Sequence, residues 1–197
     1  GYYLTDGTVP GEVYYYNYLN EQNFNSANIY DFFISFPPGT SINPGETYTL
    51  SLHDSDIFNE YYNESPDNSL YDLHANYCYE CFSSNLFSNA NVNVLGDDAE
   101  VLILFYWDGE SSTVEDVDYF LWGDETFGVD KSGVGDFLED TALSEQVYMP
   151  SASEHYSYIR TINEEIGQRP IEGNGIDEQD QTGENLIETW TTQINPQ

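Results

Sequence analysis

The stretch Glu100-Val101-Leu102-Ile103-Leu104-Phe105-Tyr106-Trp107-Asp108-Gly109 decides the fold class. Its Val101 to Phe105 run is apolar at both parities, so a strand formed here buries both faces and belongs in the middle of a sheet. The β-branched and aromatic content favours extended backbone, and Asp108-Gly109 supplies the turn that returns the chain into a strand over Thr113–Leu121. In that second strand, strict alternation puts Val114, Asp116, Asp118 and Phe120 on one face and Glu115, Val117, Tyr119 and Leu121 on the other.

Working outward, strands are expected at Tyr2–Thr5, Glu12–Tyr18, Ile29–Phe36, Thr47–Leu52, His155–Thr161 and Leu186–Thr192. Pro37-Pro38-Gly39 and Asn43-Pro44-Gly45 mark tight corners between them. One or two short helices are expected. After Asp54-Ser55, the residues Ile57, Phe58, Tyr61 and Tyr62 fall at helical spacing, and Asp136 to Gln146 suits a second helical turn. Residues 173–185 read as an acidic loop before the last strand. The reading is a single all-β domain over residues 1–197 with long loops, a natural size for one core.

Charge sets the second constraint. The 197 residues carry 36 Asp or Glu against Lys131, Arg160 and Arg169, a net charge of -33. Three cations cannot neutralise a phosphate backbone or an anionic bilayer, so nucleic acid and acidic membrane surfaces are excluded as partners. Hydrophobic residues make up 39% and aromatic ones 16%, enough apolar material to build a core. A surface this acidic is tolerable in high salt, with abundant divalent cations, or in acid. The paucity of Lys favours a saline, extracellular setting. No apolar run reaches the length of a membrane span, so membrane insertion is not expected. The chain begins at Gly1 without a signal-peptide pattern, which reads as a processed leader or a piece of a longer protein.

The ordered motifs resemble a family, the lamin tail domain, in the form found in bacterial secreted and surface proteins. The residues that carry this are Gly1-Tyr-Tyr-Leu-Thr-Asp6, the Phe36-Pro-Pro-Gly-Thr-Ser-Ile-Asn-Pro-Gly45 corner, and Gly96 through Gly109. Val117-Asp-Tyr-Phe-Leu-Trp-Gly-Asp124, Asp130-Lys-Ser-Gly133, Ser157-Tyr-Ile-Arg160 and the span from Asn174 to Trp190 complete the set. The resemblance implies an immunoglobulin-like β-sandwich. Members usually carry a further strand before the Gly-Tyr-Tyr-Leu piece, and this chain starts too late to include it. Glu12–Tyr18 or a strand from another chain is expected in its place, making a sheet edge a candidate for protein–protein contact or self-assembly.

The motifs of catalysis are not evident: the sequence holds no nucleophile elbow, phosphate-cradling loop or paired zinc motif. His53, His74 and His155 are scattered, and the adjacency of His53 to Asp54 is expected by chance in so acidic a chain. The reading is not an enzyme. Calcium is the sharper chemical expectation, because oxygen-rich loops provide its six to eight ligands. Two sets are candidates: Asn174, Asp177 and Asp180, and Asp116, Asp118 and Asp124. Cys78 and Cys81 could be redox-active or join His74 at zinc, but the neighbourhood lacks cations and further ligands, and a disulfide is preferred. Arg160 is expected to organise a buried or half-buried acid, and Lys131 to clasp a loop. Tyr14, Tyr15, Tyr16, Tyr61 and Tyr62, with Trp107 and Trp122, form either core or exposed platforms for carbohydrate or a neighbouring subunit. These features lead to a non-catalytic extracellular or cell-surface module for adhesion, display or assembly, with an accessory binding domain of a larger secreted hydrolase as the alternative.

Overall fold

The structure, a computed structural model, describes residues 1–9, 13–17, 31–77 and 94–194. They form a β-rich fold around a four-stranded antiparallel sheet in the order β4-β1-β7-β8. These strands are β1 (Tyr2–Thr5), β4 (Phe33–Ser35), β7 (Glu100–Tyr106) and β8 (Glu115–Trp122). Small pairs are made by β2 (Thr8–Val9) with β3 (Val13–Tyr14), and by β5 (Leu50–Ser51) in parallel with β6 (Asn68–Ser69). An antiparallel pair, β9 (Tyr156–Arg160) with β10 (Trp190–Ile194), completes the β structure described. The α-helices among the described residues are α1 (Ser55–Tyr62), α2 (Leu70–Tyr77) and the single turn α3 (Leu186–Thr189). No helix among the described residues is long and apolar enough to cross a membrane.

As its two-sided apolar pattern requires, β7 is central and is covered on both faces. Val101, Ile103 and Phe105 pack with Tyr15, Phe33, Tyr119, Leu121 and Val129 on one side. On the other, Leu102 meets a second cluster in which Leu70 and Leu73 of α2 pack on Phe32 and Ile34. The remainder of this second face lies under the β9–β10 pair, where Phe120 meets Tyr158 edge-on and Trp190 at a tilt, at centroid separations of 5.0 and 4.5 Å.

A bulge overturns the strict alternation read for β8. Leu104 pairs with Asp118 but Phe105 pairs with Asp116, leaving Val117 as the extra residue. An inserted residue reverses the phase of every side chain beyond it. Asp116 therefore joins Tyr119 and Leu121 on the first face, while Asp118 stays with Phe120 on the second.

The outer edge of β8 is occupied at both ends. Asp116 donates its N–H to the Asn174 carbonyl at 2.9 Å, and Gly123 and Met149 bond across the other end. Gly123 has φ +81°, and a Cβ there would meet the Asp98 carbonyl oxygen at 1.9 Å, so only glycine lets the two segments meet so closely. Both proline corners form, with Thr40 donating to the Pro37 carbonyl and Glu46 to that of Asn43, and Gly39 and Gly45 at positive φ.

Several boundaries differ from the sequence reading. Among the described residues of the expected Glu12–Tyr18 strand, 13–17, only β3 is extended before the chain tightens into a 3-10 turn over Tyr15–Asn17. Residues 186–189 of the expected last strand are helical, and β10 begins at Trp190. In 136–146 the helical turn is limited to Leu143–Glu145. The 173–185 segment is a loop, but its Asn174, Asp180, Gln181, Thr182 and Glu184 are buried and tie it to the body of the protein. Cys78 and Cys81, with the His74 side chain offered as their zinc partner, lie outside the described residues.

Candidate functional site

The inner layer between β8 and the β9–β10 pair holds a continuous row of side chains. The antiparallel pairing Trp190–Arg160 and Thr192–Tyr158 turns Tyr156, Tyr158, Arg160 and Trp190 toward Asp118, Phe120 and Trp122. At one end the row is ionic, and at the other it opens as an aromatic groove of about 620 Å³.

Arg160 is the centre of the ionic end. Its guanidinium donates to both oxygens of Glu184 at 3.0 and 3.2 Å, donates to Asp118 at 3.2 Å, and lies 4.0 Å from Glu165. The cation also stacks 4.9 Å from the Trp190 ring centre. Glu184 is buried and takes a further bond from the Thr189 hydroxyl at 2.7 Å. Burial pushes the carboxyls of Asp118, Glu165 and Glu184 above the ordinary carboxylate range; Arg160 opposes this in each case without cancelling it. Oxygens of these three acids lie within 4.8 Å of one another, so the set could hold a metal ion, although Arg160 already stands among them.

The open end is lined by Phe120, Trp122, Tyr156 and Tyr158, with Asp97 and Glu154 at its margin. Trp122 and Tyr158 are fixed by their polar ends: the indole N–H donates to the Gly96 carbonyl at 2.9 Å and the phenol to that of Pro150 at 2.8 Å. Tyr156 is the most accessible of the rings, 40% exposed. Such a surface offers apolar ring area at low entropic cost, with carboxylates able to accept hydroxyl hydrogen bonds.

The two calcium sets expected from sequence are dispersed. Asp116 is buried on the first face, where its carboxylate accepts from the Tyr15 hydroxyl and from Lys131 at 2.5 Å. Asp118 belongs to the Arg160 cluster. Asp124 caps a 3-10 turn by accepting the Thr126 N–H at 2.8 Å, and these bonds hold its carboxyl below the usual range. In the other set, Asn174 bridges Leu138 and Asp140, and Asp180 accepts from both Arg169 and Thr141. Asp177 is exposed at φ 62°. Neither trio is drawn to one point.

The tyrosine runs divide. Tyr15 and Tyr16 are buried core, which removes them as a surface platform, and Tyr14 is half-buried and stacks on Tyr16. Tyr61 and Tyr62 on α1 are 74% and 65% exposed. Arg160 does organise a buried acid, and Lys131 does clasp a loop, as read from the sequence. Glu165 and Glu184 were not singled out, and only the proximity of Glu184 to the last strand hinted that it would meet Arg160. Comparison with protein-family models, with curated proteins and with solved structures finds no match for this chain.

Proposed function

We propose that this protein is a non-catalytic extracellular or cell-surface module of the lamin-tail, immunoglobulin-like β-sandwich type, and that it binds a neutral saccharide in the groove between β8 and β9. The observation that carries this reading is the juxtaposition of four aromatic rings with marginal carboxylates in one open groove. A pyranose presents an apolar C–H face to stack on such rings and hydroxyls to bond the acids, and the volume suits a ligand of two or three sugar units. The overall charge disfavours anionic glycans. Adhesion and display follow from such binding, and within a larger secreted hydrolase the same groove would direct the enzyme to its polymer.

The arrangement of the cations supports the surface setting. Lys131, Arg160 and Arg169 are all engaged by carboxylates within the fold, so the exterior presents acids to solvent. Screening of neutral and acidic glycans in saline buffer tests the reading. Binding of neutral members that a Tyr156→Ala substitution removes supports it, and binding confined to acidic glycans contradicts it.

A further inference from the structure

Lys131 is fully buried, although a lysine side chain is long enough to carry its charge out to water. Its Nζ lies 2.5 Å from Asp116 Oδ2 and 3.0 Å from Asp140 Oδ2, and both carboxyl groups are shut away with it. The ring centres of Tyr15 and Phe137 stand 5.8 and 6.0 Å from the same nitrogen. One amine and two acids are thus held in contact in an aromatic pocket. Three desolvated charges are costly there, and the acids outnumber the cation.

We propose that Lys131 Nζ and Asp116 Cγ become joined by an intramolecular amide bond, with the ion pair as its reactant state and Asp140 as the proton relay. Asp140 Oδ2 takes one proton from the ammonium, which frees the nitrogen lone pair. Burial holds the Asp140 carboxyl above its ordinary range against the pull of Lys131, which suits it to carry that proton. The transfer discharges two buried groups at once. The lone pair then attacks Cγ, one bond of about 1.2 Å beyond the nearer oxygen. Negative charge collects on Oδ1, where Tyr15 donates its hydroxyl; burial, with Asp116 beside it, keeps that phenol protonated. Asp140 passes its proton to Oδ2, the nitrogen gives a second, and the C–O bond breaks as water leaves. Ammonium and carboxylate thereby become one amide and one water, with no oxidant, cofactor or other co-reactant.

Asp116 is the acceptor because it is the nearer acid and has the Tyr15 hydroxyl on its other oxygen. The oxygens of Asp140 already accept the Asn174 side-chain amide at 2.6 Å and the Lys131 backbone N–H at 2.8 Å. In the product the amide oxygen keeps its bond from Tyr15, and the new N–H faces Asp140. The fold supplies an effective concentration on the order of 10⁵ M or more, and reversal needs water that the pocket keeps out. The bond fastens β8 to the loop at 131 with a link that no reductant breaks. It is independent of what the groove binds.

The test is intact-mass spectrometry of the whole protein, reduced and held folded at neutral pH, followed by peptide mapping. The expected mass is one water below that of the sequence, with a branched peptide joining the segment of Asp116 to that of Lys131. Neither measurement depends on a variant folding. Asp116→Ala and Asp140→Asn, each checked for fold by circular dichroism, should keep the full mass. A wild-type protein that keeps its full mass overturns the proposal. So does a water loss that survives Asp116→Ala, that maps to Asp140, or that maps to a succinimide at Asp6-Gly7 or Asp108-Gly109. A folded Asp140→Asn protein that loses water as fast as the wild type overturns the relay.

Discussion

Lys131 Nζ lies 2.5 Å from Asp116 Oδ2, and neither side chain reaches solvent. The same ammonium lies 3.0 Å from Asp140, whose other oxygen accepts from Asn174, and Tyr15 donates to Asp116 from the aromatic core. Burial alone lowers the affinity of Lys131 for its proton, and the two carboxylates more than reverse that, so it stays charged. One cation thereby ties together β8, the 3-10 turn after β3, and the loops around 131–140 and 174.

Replacing Lys131 by Met leaves two buried acids without their counter-charge. The expected loss is about 3–5 kcal/mol of unfolding free energy, read by urea denaturation. Lys131→Met combined with Asp116→Asn recovers part of the loss, whereas an undiminished loss in the double variant counts against charge imbalance as its cause.

The central strand pair and the proline corners were legible because Val101 to Phe105, Asp108-Gly109 and Pro38-Gly39 each carry their own local preference. The bulge at Val117 was not, since nothing in Glu115 to Leu121 marks the skipped residue; pairing with β7 decides it. Helix α2 has a readable trace in the sequence. Ser69 accepts the Asp72 N–H at 3.1 Å and its hydroxyl donates to the Asp72 carboxylate at 2.7 Å, a side-chain cap that Ser69-Leu70-Tyr71-Asp72 encodes. Of the groove, the sequence marks Trp122 alone as a platform candidate, and in the fold that ring is buried. Its partners Phe120, Tyr156 and Tyr158 come from segments distant in sequence, as do Glu165 and Glu184 around Arg160, and chain-local patterns do not record such meetings.

The pH dependence of stability runs opposite to that of a chain held by surface ion pairs. Glu100 keeps its proton to about pH 7 when folded but loses it near its ordinary value of 4.5 when unfolded. Between those limits the folded chain binds more protons, so the stabilisation is fully present below about pH 4.5 and is lost as pH rises toward 7. After discounting for partial exposure, the loss is about 1–2 kcal/mol. Calcium-free protein should melt several degrees lower at pH 8 than at pH 5, and Glu100→Gln should reduce the difference. A calcium-free Tm that rises over this interval contradicts the assignment.

Removing Arg160 releases three acids that already converge. Arg160→Ala should destabilise the protein by about 2–4 kcal/mol, with quenching or shift of tryptophan emission as the cation leaves Trp190. Added calcium should restore more of the Tm in this variant than in the same background carrying Glu165→Gln. Equal restoration in the two would show that the ion binds elsewhere.

Self-repulsion of a -33 chain is relieved by counterions. Raising NaCl from about 0.1 to about 2 M shortens the Debye length to a few ångströms and should raise Tm at neutral pH. A Tm that falls with salt argues against the saline-exterior reading.

The groove reading is tested most directly by two-dimensional NMR titration of the protein with neutral oligosaccharides in saline buffer. It predicts shifts at Tyr156, Tyr158, Trp122 and Gly96 that saturate, and that Tyr156→Ala abolishes while Tyr61→Ala on α1 leaves them in place. No saturable shifts across neutral oligosaccharides, or shifts that survive Tyr156→Ala and vanish with Tyr61→Ala, would contradict it.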